Sequence, residues 1–157
     1  MKLKLALFAM LATVAAPAFA EGDAAKGEAV FKQCQTCHVV VDPEGKVLAG
    51  KASKTGPNLY AVIGRVAGSY PEFKYGESIV AAGAAGLVWD EATFVAYVQD
   101  PQDFLKTTLA DKSAKGKMAF KVKNAEMAAD VYAYLVSLAP AVVPAVDPAA
   151  PAVAPAN

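Results

Sequence analysis

Cys34-Gln35-Thr36-Cys37-His38 is the stretch on which the reading of this chain turns. Two thiols three positions apart, followed at once by an imidazole, have the spacing of a c-type haem attachment signal. On a helix the cysteines lie about one turn apart, so each sulfur reaches a vinyl group of the same macrocycle while His38 presents a ring nitrogen to its iron. Competing readings ask for more than the sequence holds. A thioredoxin-like pair belongs at the start of a helix after a strand, and no strand-like run precedes Cys34. A zinc centre needs about four ligands, and these two cysteines and one histidine are all the chain has. A structural disulfide closing so short a loop would restrain little of the unfolded chain.

Toward the N-terminus, Lys2 and Lys4 precede an apolar run from Leu5 to Ala16 and then Ala18-Phe19-Ala20, the pattern of a secretory signal cut before Glu21. The apolar run is shorter than the ~20 residues that cross a bilayer. The expected product is therefore exported to a periplasm, soluble, and not membrane-spanning when mature. Residues 1–20 read as signal peptide and 21–139 as one domain. Residues 140–157 read as a Pro/Ala/Val-rich mobile extension, because prolines at 140, 144, 148, 151 and 155 bar both helix and sheet.

Loss of Lys2 and Lys4 leaves thirteen basic against fifteen acidic side chains, a formal charge of −2. The distribution says more than the total. Between Asp103 and Lys123 stand Lys106, Lys112, Lys115, Lys117, Lys121 and Lys123 against Asp103 and Asp111 alone, a basic patch on a slightly acidic protein. Inside it lies the best candidate for a second iron ligand. His38 is the sole histidine, and Met1 and Met10 leave with the signal, so only Met118 and Met127 offer a thioether. Met127 falls on the stripe Met127, Val131, Tyr134, Leu135, Leu138, the buried face of a helix. Met118 sits in Lys115-Gly116-Lys117-Met118, an aperiodic segment whose glycine lets the backbone approach a flat cofactor. Met118 is favoured over Met127.

Helical signals dominate the rest. Asp23 caps a helix running to about the Cys34 motif, with Val30, Phe31 and Cys34 on one face. Val39 to Asn58, rich in turn residues such as Asp42-Pro43-Glu44-Gly45, reads as loop. A short helix is expected near Leu59 to Ile63 and another from Glu77 to Ala85. Asp90 caps a fourth that Asp100-Pro101 stops, and Asn124 caps a last one ending before Pro140.

The series Gly27, Phe31, Cys34, Cys37, His38, Thr55-Gly56-Pro57-Asn58-Leu59, Gly64-Arg65, Trp89, Tyr97, Asp100-Pro101, Met118 and Tyr134-Leu135 resembles, in order, the landmarks of class I cytochrome c. Within that family it is most similar to the bacterial cytochrome c2 group, which includes the cytochrome c550 proteins. The resemblance spans residues 22–139. It implies an all-α, small single-domain cytochrome c fold, about five helices wrapped around one covalently bound haem c. Pro57 resembles the proline whose carbonyl accepts the ring N–H of the axial histidine, Trp89 the donor to a haem propionate, and Arg65 the residue offsetting propionate charge. Tyr97 resembles the tyrosine near the methionine sulfur; Gly27 and Tyr134 resemble the small and large residues where the first and last helices cross. Relative to mitochondrial proteins, the loop after His38 is longer, Thr107 to Lys115 is extended, and Gly116 stands where those have a threonine.

With His38 and Met118 both on the iron no coordination site is open, which leaves outer-sphere one-electron exchange. The expected function is a carrier and not an enzyme, a monomer whose lysines meet acidic docking faces, with no role for nucleic acid. The resemblance implies electrons from the cytochrome bc1 complex for a photosynthetic reaction centre, a terminal oxidase or another reductase. The alternative is an open-site haem enzyme or sensor in which Met118 does not stay on the iron.

Overall fold

The computed structural model describes residues 22–51 and 53–139; the segments read as signal (1–20) and as extension (140–157) lie outside them. Asp23 opens the first helix, α1 (Ala24–Phe31), by accepting from the N–H groups of Ala25 and Lys26 at 2.9 and 3.2 Å, two of the donors that a helix start leaves without partners. Regular α-helix ends at Phe31, but tight turns carry the chain through the motif. Cys34 N–H donates to Phe31 O at 2.8 Å, and the N–H groups of Cys37 and His38 share Cys34 O at 3.1 and 2.9 Å. The thiols are thus presented by a coiled turn rather than by a continuous helix.

The segment expected as loop contains a hairpin. β1 (Val39–Val41) pairs antiparallel with β2 (Val47–Gly50) in the register Val39 to Gly50, Val40 to Ala49, with an irregularity before Val41. Asp42-Pro43-Glu44-Gly45 is its turn, closed by Gly45 N–H to Asp42 O at 3.0 Å with Gly45 at φ +83°. Three consecutive β-branched valines supplied the strand signal. A two-stranded ribbon is marginal alone, and Asn58 holds this one: its Oδ1 accepts from Val41 N–H and its Nδ2 donates to Val41 O, at 3.0 and 2.8 Å. The helix expected at Leu59–Ile63 is absent. Ala61 there takes φ +48°, and Leu59 N–H is already committed to Val39 O, so turns replace a helix.

Of the remaining helices, all but the first begin at a polar side-chain cap. α2 (Glu77–Ala84) follows Gly76; α3 (Glu91–Gln99) starts with a reciprocal Asp90–Thr93 capping box. The Asp100-Pro101 pair that stops α3 also starts α4 (Pro101–Thr108), which the sequence reading missed: Asp100 caps it and Pro101 takes its first position, where a missing N–H costs nothing. Asn124 caps α5 (Ala125–Leu138). The helix count of five therefore stands, with α4 in place of the expected turn of helix at 59–63. None of the described helices is long and apolar enough to cross a membrane.

α1 crosses α5 at Gly27. A Cβ there would collide with the carbonyl of Asp130 and approach Tyr134 Cβ to 2.8 Å. Phe31 then stacks on Tyr134 with ring centroids 5.4 Å apart, and the buried Asp130 carboxylate accepts from Asp23 N–H at 2.7 Å. α3 packs on the other side of α5 through Phe94 and Tyr132. Gly27→Ala would gain up to ~1 kcal/mol of helix propensity but force two backbones apart at a cost of ~3 kcal/mol. A net loss of about 2 kcal/mol is expected, measured as a lower denaturant midpoint; an unchanged midpoint would show that the crossing is not close-packed.

Candidate functional site

Between the end of α1, the 55–62 segment, α3, α5 and the strand-free run 117–122 lies a cavity of about 390 Å³, within the range of small-molecule and cofactor sites. Phe31, Leu59, Ile79, Phe94, Val98 and Leu135 give it apolar walls. Cys34, Cys37, His38 and Met118 all line it, and Met127 does not; Met127 packs half-buried against the helical core instead. The structure thus brings together the four residues singled out by motif and elimination. Their chemistry is specific: two free thiols, one imidazole and one thioether in a predominantly apolar chamber. A flat, largely apolar macrocycle carrying a borderline-soft iron fits that donor set, and the wall residues supply the stacking surface it needs.

His38 is held at one nitrogen only. Its Nδ1 lies 2.9 Å from Pro57 O, and since a carbonyl only accepts, Nδ1 carries the proton and Nε2 keeps its lone pair for a metal. Burial pushes the imidazole pKa down, with the Pro57 carbonyl acting in the opposite direction, so the ring is neutral where a ligand must be. Gly56 makes the approach possible. Its N–H donates to Cys37 O at 2.8 Å, and a Cβ on it would stand 2.6 and 2.7 Å from the His38 ring atoms Cε1 and Nδ1.

Burial, and then the neighbouring Cys37, raise the Cys34 thiol to about 11. A dithiol enzyme needs the opposite shift toward thiolate, so this environment speaks against thiol–disulfide exchange. Among the described residues no cluster of three or more His, Cys, Asp or Glu could hold a metal ion.

Arg65 and Trp89 also line the cavity. The Arg65 guanidinium donates to Asn58 O at 2.9 Å and Tyr60 O at 3.3 Å and lies over the Tyr70 ring; with five N–H donors it has capacity left for an anionic group in the chamber. Trp89 stacks on Tyr97 with centroids 4.8 Å apart, and both rings meet Phe104 of α4. Burial raises the Tyr97 hydroxyl to about 12, so it stays a neutral donor. Phe73 and Tyr75, packed edge to face, complete the aromatic lining; no periodicity marks them, because they lie in an irregular segment and meet the cavity only through the tertiary fold.

Two lysines of the basic run are engaged rather than loose. Lys117 Nζ donates to Lys74 O and lies over the Phe73 ring; Lys121 pairs with Asp100. Exposed Phe120 lies between them at the cavity mouth.

No family model matches the chain. Among curated relatives, a cytochrome c2 of Fuscovulum blasticum is 60% identical over 120 residues, covering 76% of each chain. A cytochrome c2 of Cereibacter sphaeroides is 54% identical over 85% of this chain and 94% of its own. Among solved structures, cytochrome c2 of Rhodobacter sphaeroides superposes with a TM-score of 0.74 at 55% identity, covering 76% of this chain and 98% of that one. Fold, identity and coverage agree, and the chain belongs to the cytochrome c2 family.

Proposed function

We propose that this chain is a periplasmic one-electron carrier that holds a single haem through thioether bonds to Cys34 and Cys37 and ligates the iron with His38 and Met118. The observation that carries the reading is the convergence of those four side chains on one apolar cavity, with His38 locked by Pro57 so that only Nε2 remains for a metal. Bound there, haem iron supplies reversible one-electron exchange between its ferric and ferrous states. The residues of the chain do the rest. The Pro57 carbonyl fixes the imidazole plane and raises its basicity. A thioether from Met118 and the apolar walls favour the lower charge, which places the potential high within the ~0.8 V span that axial ligands command. Phe31, Leu59, Phe94 and Leu135 keep water out, so little solvent reorganises when an electron passes.

The partners we propose are the cytochrome bc1 complex as donor and a photosynthetic reaction centre, terminal oxidase or reductase as acceptor, met by a monomer through acidic docking faces. Lys117, exposed and lining the cavity, and the exposed Lys112, Lys115 and Lys123 of the same run support this, because charge of one sign raises the rate of encounter without requiring tight binding.

A redox titration of the mature protein, matured with haem attached and followed in the visible and near infrared, tests the site. A positive midpoint and an iron–thioether charge-transfer band in the oxidised form are expected; a low midpoint with no band, or carbon monoxide binding at rest, would instead indicate the open-site enzyme or sensor. For docking, charge reversal at Lys115 and Lys123, exposed and without ion-pair partners among the described residues, is expected to slow association with an acidic partner by ~10-fold at low salt. The potential should hold and the difference should fade as salt rises. Equal rates at low salt would remove the steering role.

A further inference from the structure

The run 117–121 carries Met118, yet within the described residues its backbone makes no hydrogen bond to any other backbone group. It is tied at its ends: Lys115 N–H donates to Ser78 Oγ at 2.9 Å and Val122 N–H to Val98 O at 2.8 Å. Between those anchors the chain is exposed at Lys117, Ala119, Phe120 and Lys121. The Lys117 and Lys121 side chains reach out to Lys74 O and Asp100, but one side chain from outside the run grips its backbone. Gln102, in the first turn of α4, donates through Nε2 to Gly116 O at 2.8 Å and to Met118 O at 3.3 Å, while its Oε1 accepts from Gly116 N–H at 3.0 Å. Both amide protons and the amide oxygen are used, and turning the amide over would set its oxygen against two carbonyls, so the orientation is unambiguous. Gly116 fits this clamp: a Cβ there would stand 3.1 Å from both Gln102 Nε2 and Leu105 Cδ1.

We propose that Gln102 is the positioning residue that keeps the Met118 thioether on the iron. The proposal rests on Met118 being the axial ligand. Its basis is mechanical: α4 is anchored by fully buried Leu105 and Pro101, so a side chain on its first turn transmits the rigidity of the core to a segment that has no secondary structure of its own. Without the clamp, the ends of the run stay fixed while its middle, and the ligand with it, moves outward. Loss of these hydrogen bonds should therefore show first as easier displacement of the thioether and only weakly as global instability, since the bonds lie at the surface of the helical core.

The test compares oxidised holoproteins of the parent chain, Gln102→Leu and Gln102→Ala, titrated with imidazole as a competing ligand while the iron–thioether band is followed. Neutral hydrogen bonds contribute only modestly after water's compensation, so the expected effect is measurable but small. An approximately tenfold tighter apparent imidazole affinity is expected in both variants, equivalent to about 1.4 kcal/mol. Far-ultraviolet unfolding midpoints should stay close to the parent's, and the Gly116 amide should exchange faster with solvent. Unchanged imidazole affinity in folded variants overturns the proposal. A loss of global stability as large as the gain in imidazole affinity, or failure of both variants to fold, also overturns it, because Gln102 would then serve the fold and not the ligand. A parent protein without the thioether band would overturn the Met118 assignment itself, and the two failures are thereby told apart.

Discussion

The hydrogen bond from His38 Nδ1 to the Pro57 carbonyl, 2.9 Å long, is the constraint around which the loop half of this molecule is arranged. A carbonyl on an irregular segment is a poor fixed point unless the segment is itself held. Here Asn58 ties it to the hairpin with two bonds to Val41, Arg65 grips the Asn58 carbonyl, and Gly56 closes onto Cys37 O. The Asn58 and Gly56 contacts join segments far apart in sequence, the Arg65 contact closes the stretch on itself, and none involves a helix. Together they turn the 55–65 stretch into a cradle that fixes a proton on Nδ1, while burial of the ring disfavours its charged form.

The helical half solves a different problem. Helices of eight or nine residues are marginal in water, and four of the five here are of that length. Their stability must come from packing, and α1 against α5 at Gly27 is the closest contact available. What lies between the two halves is a chamber of about 390 Å³. Its walls come from both halves, Phe31, Phe94, Val131 and Leu135 from the helices and Pro57, Leu59 and Val62 from the loop segment, so each half supplies apolar surface that the other alone could not enclose.

This division explains how much was legible in the sequence. Local chemistry was readable: the Cys34 motif, and the caps Asp23, Asp90 and Asn124, act within four residues of where they stand. Elimination pointed to Met118 because the chain has so few soft ligands, and Met118 lines the cavity while Met127 does not. The hairpin was missed because the turn residues around Asp42 outweighed three valines, and α4 because Asp100-Pro101 was read only as a stop, although the same pair is a start signal. The helix expected at 59–63 failed because Asn58 and Val39 claim the backbone there, a tertiary override of local propensity. Gln102 left no trace at all, since a glutamine on a helix reads as solvated until the segment fourteen residues away is placed beside it.

The same tertiary placement changes what the basic run can do. Six lysines in a row of twenty-one residues look interchangeable, but the structure divides them. Lys121 is partnered by Asp100, whose carboxyl is held below its ordinary range first by that hydrogen bond and then by Asp103 N–H, so the pair contributes little net field at a distance. Lys117 meets a carbonyl and an aromatic ring rather than a carboxylate, so no acidic partner offsets it among the described residues, and it lines the cavity. Lys106, Lys112, Lys115 and Lys123 are exposed and unpaired among the described residues. In the proposed carrier, long-range attraction falls to these four and Lys117, while the Lys121–Asp100 pair brackets the segment that holds Met118. In the proposed carrier, one stretch of sequence both holds the thioether and attracts the partner, and the two tasks fall to different side chains.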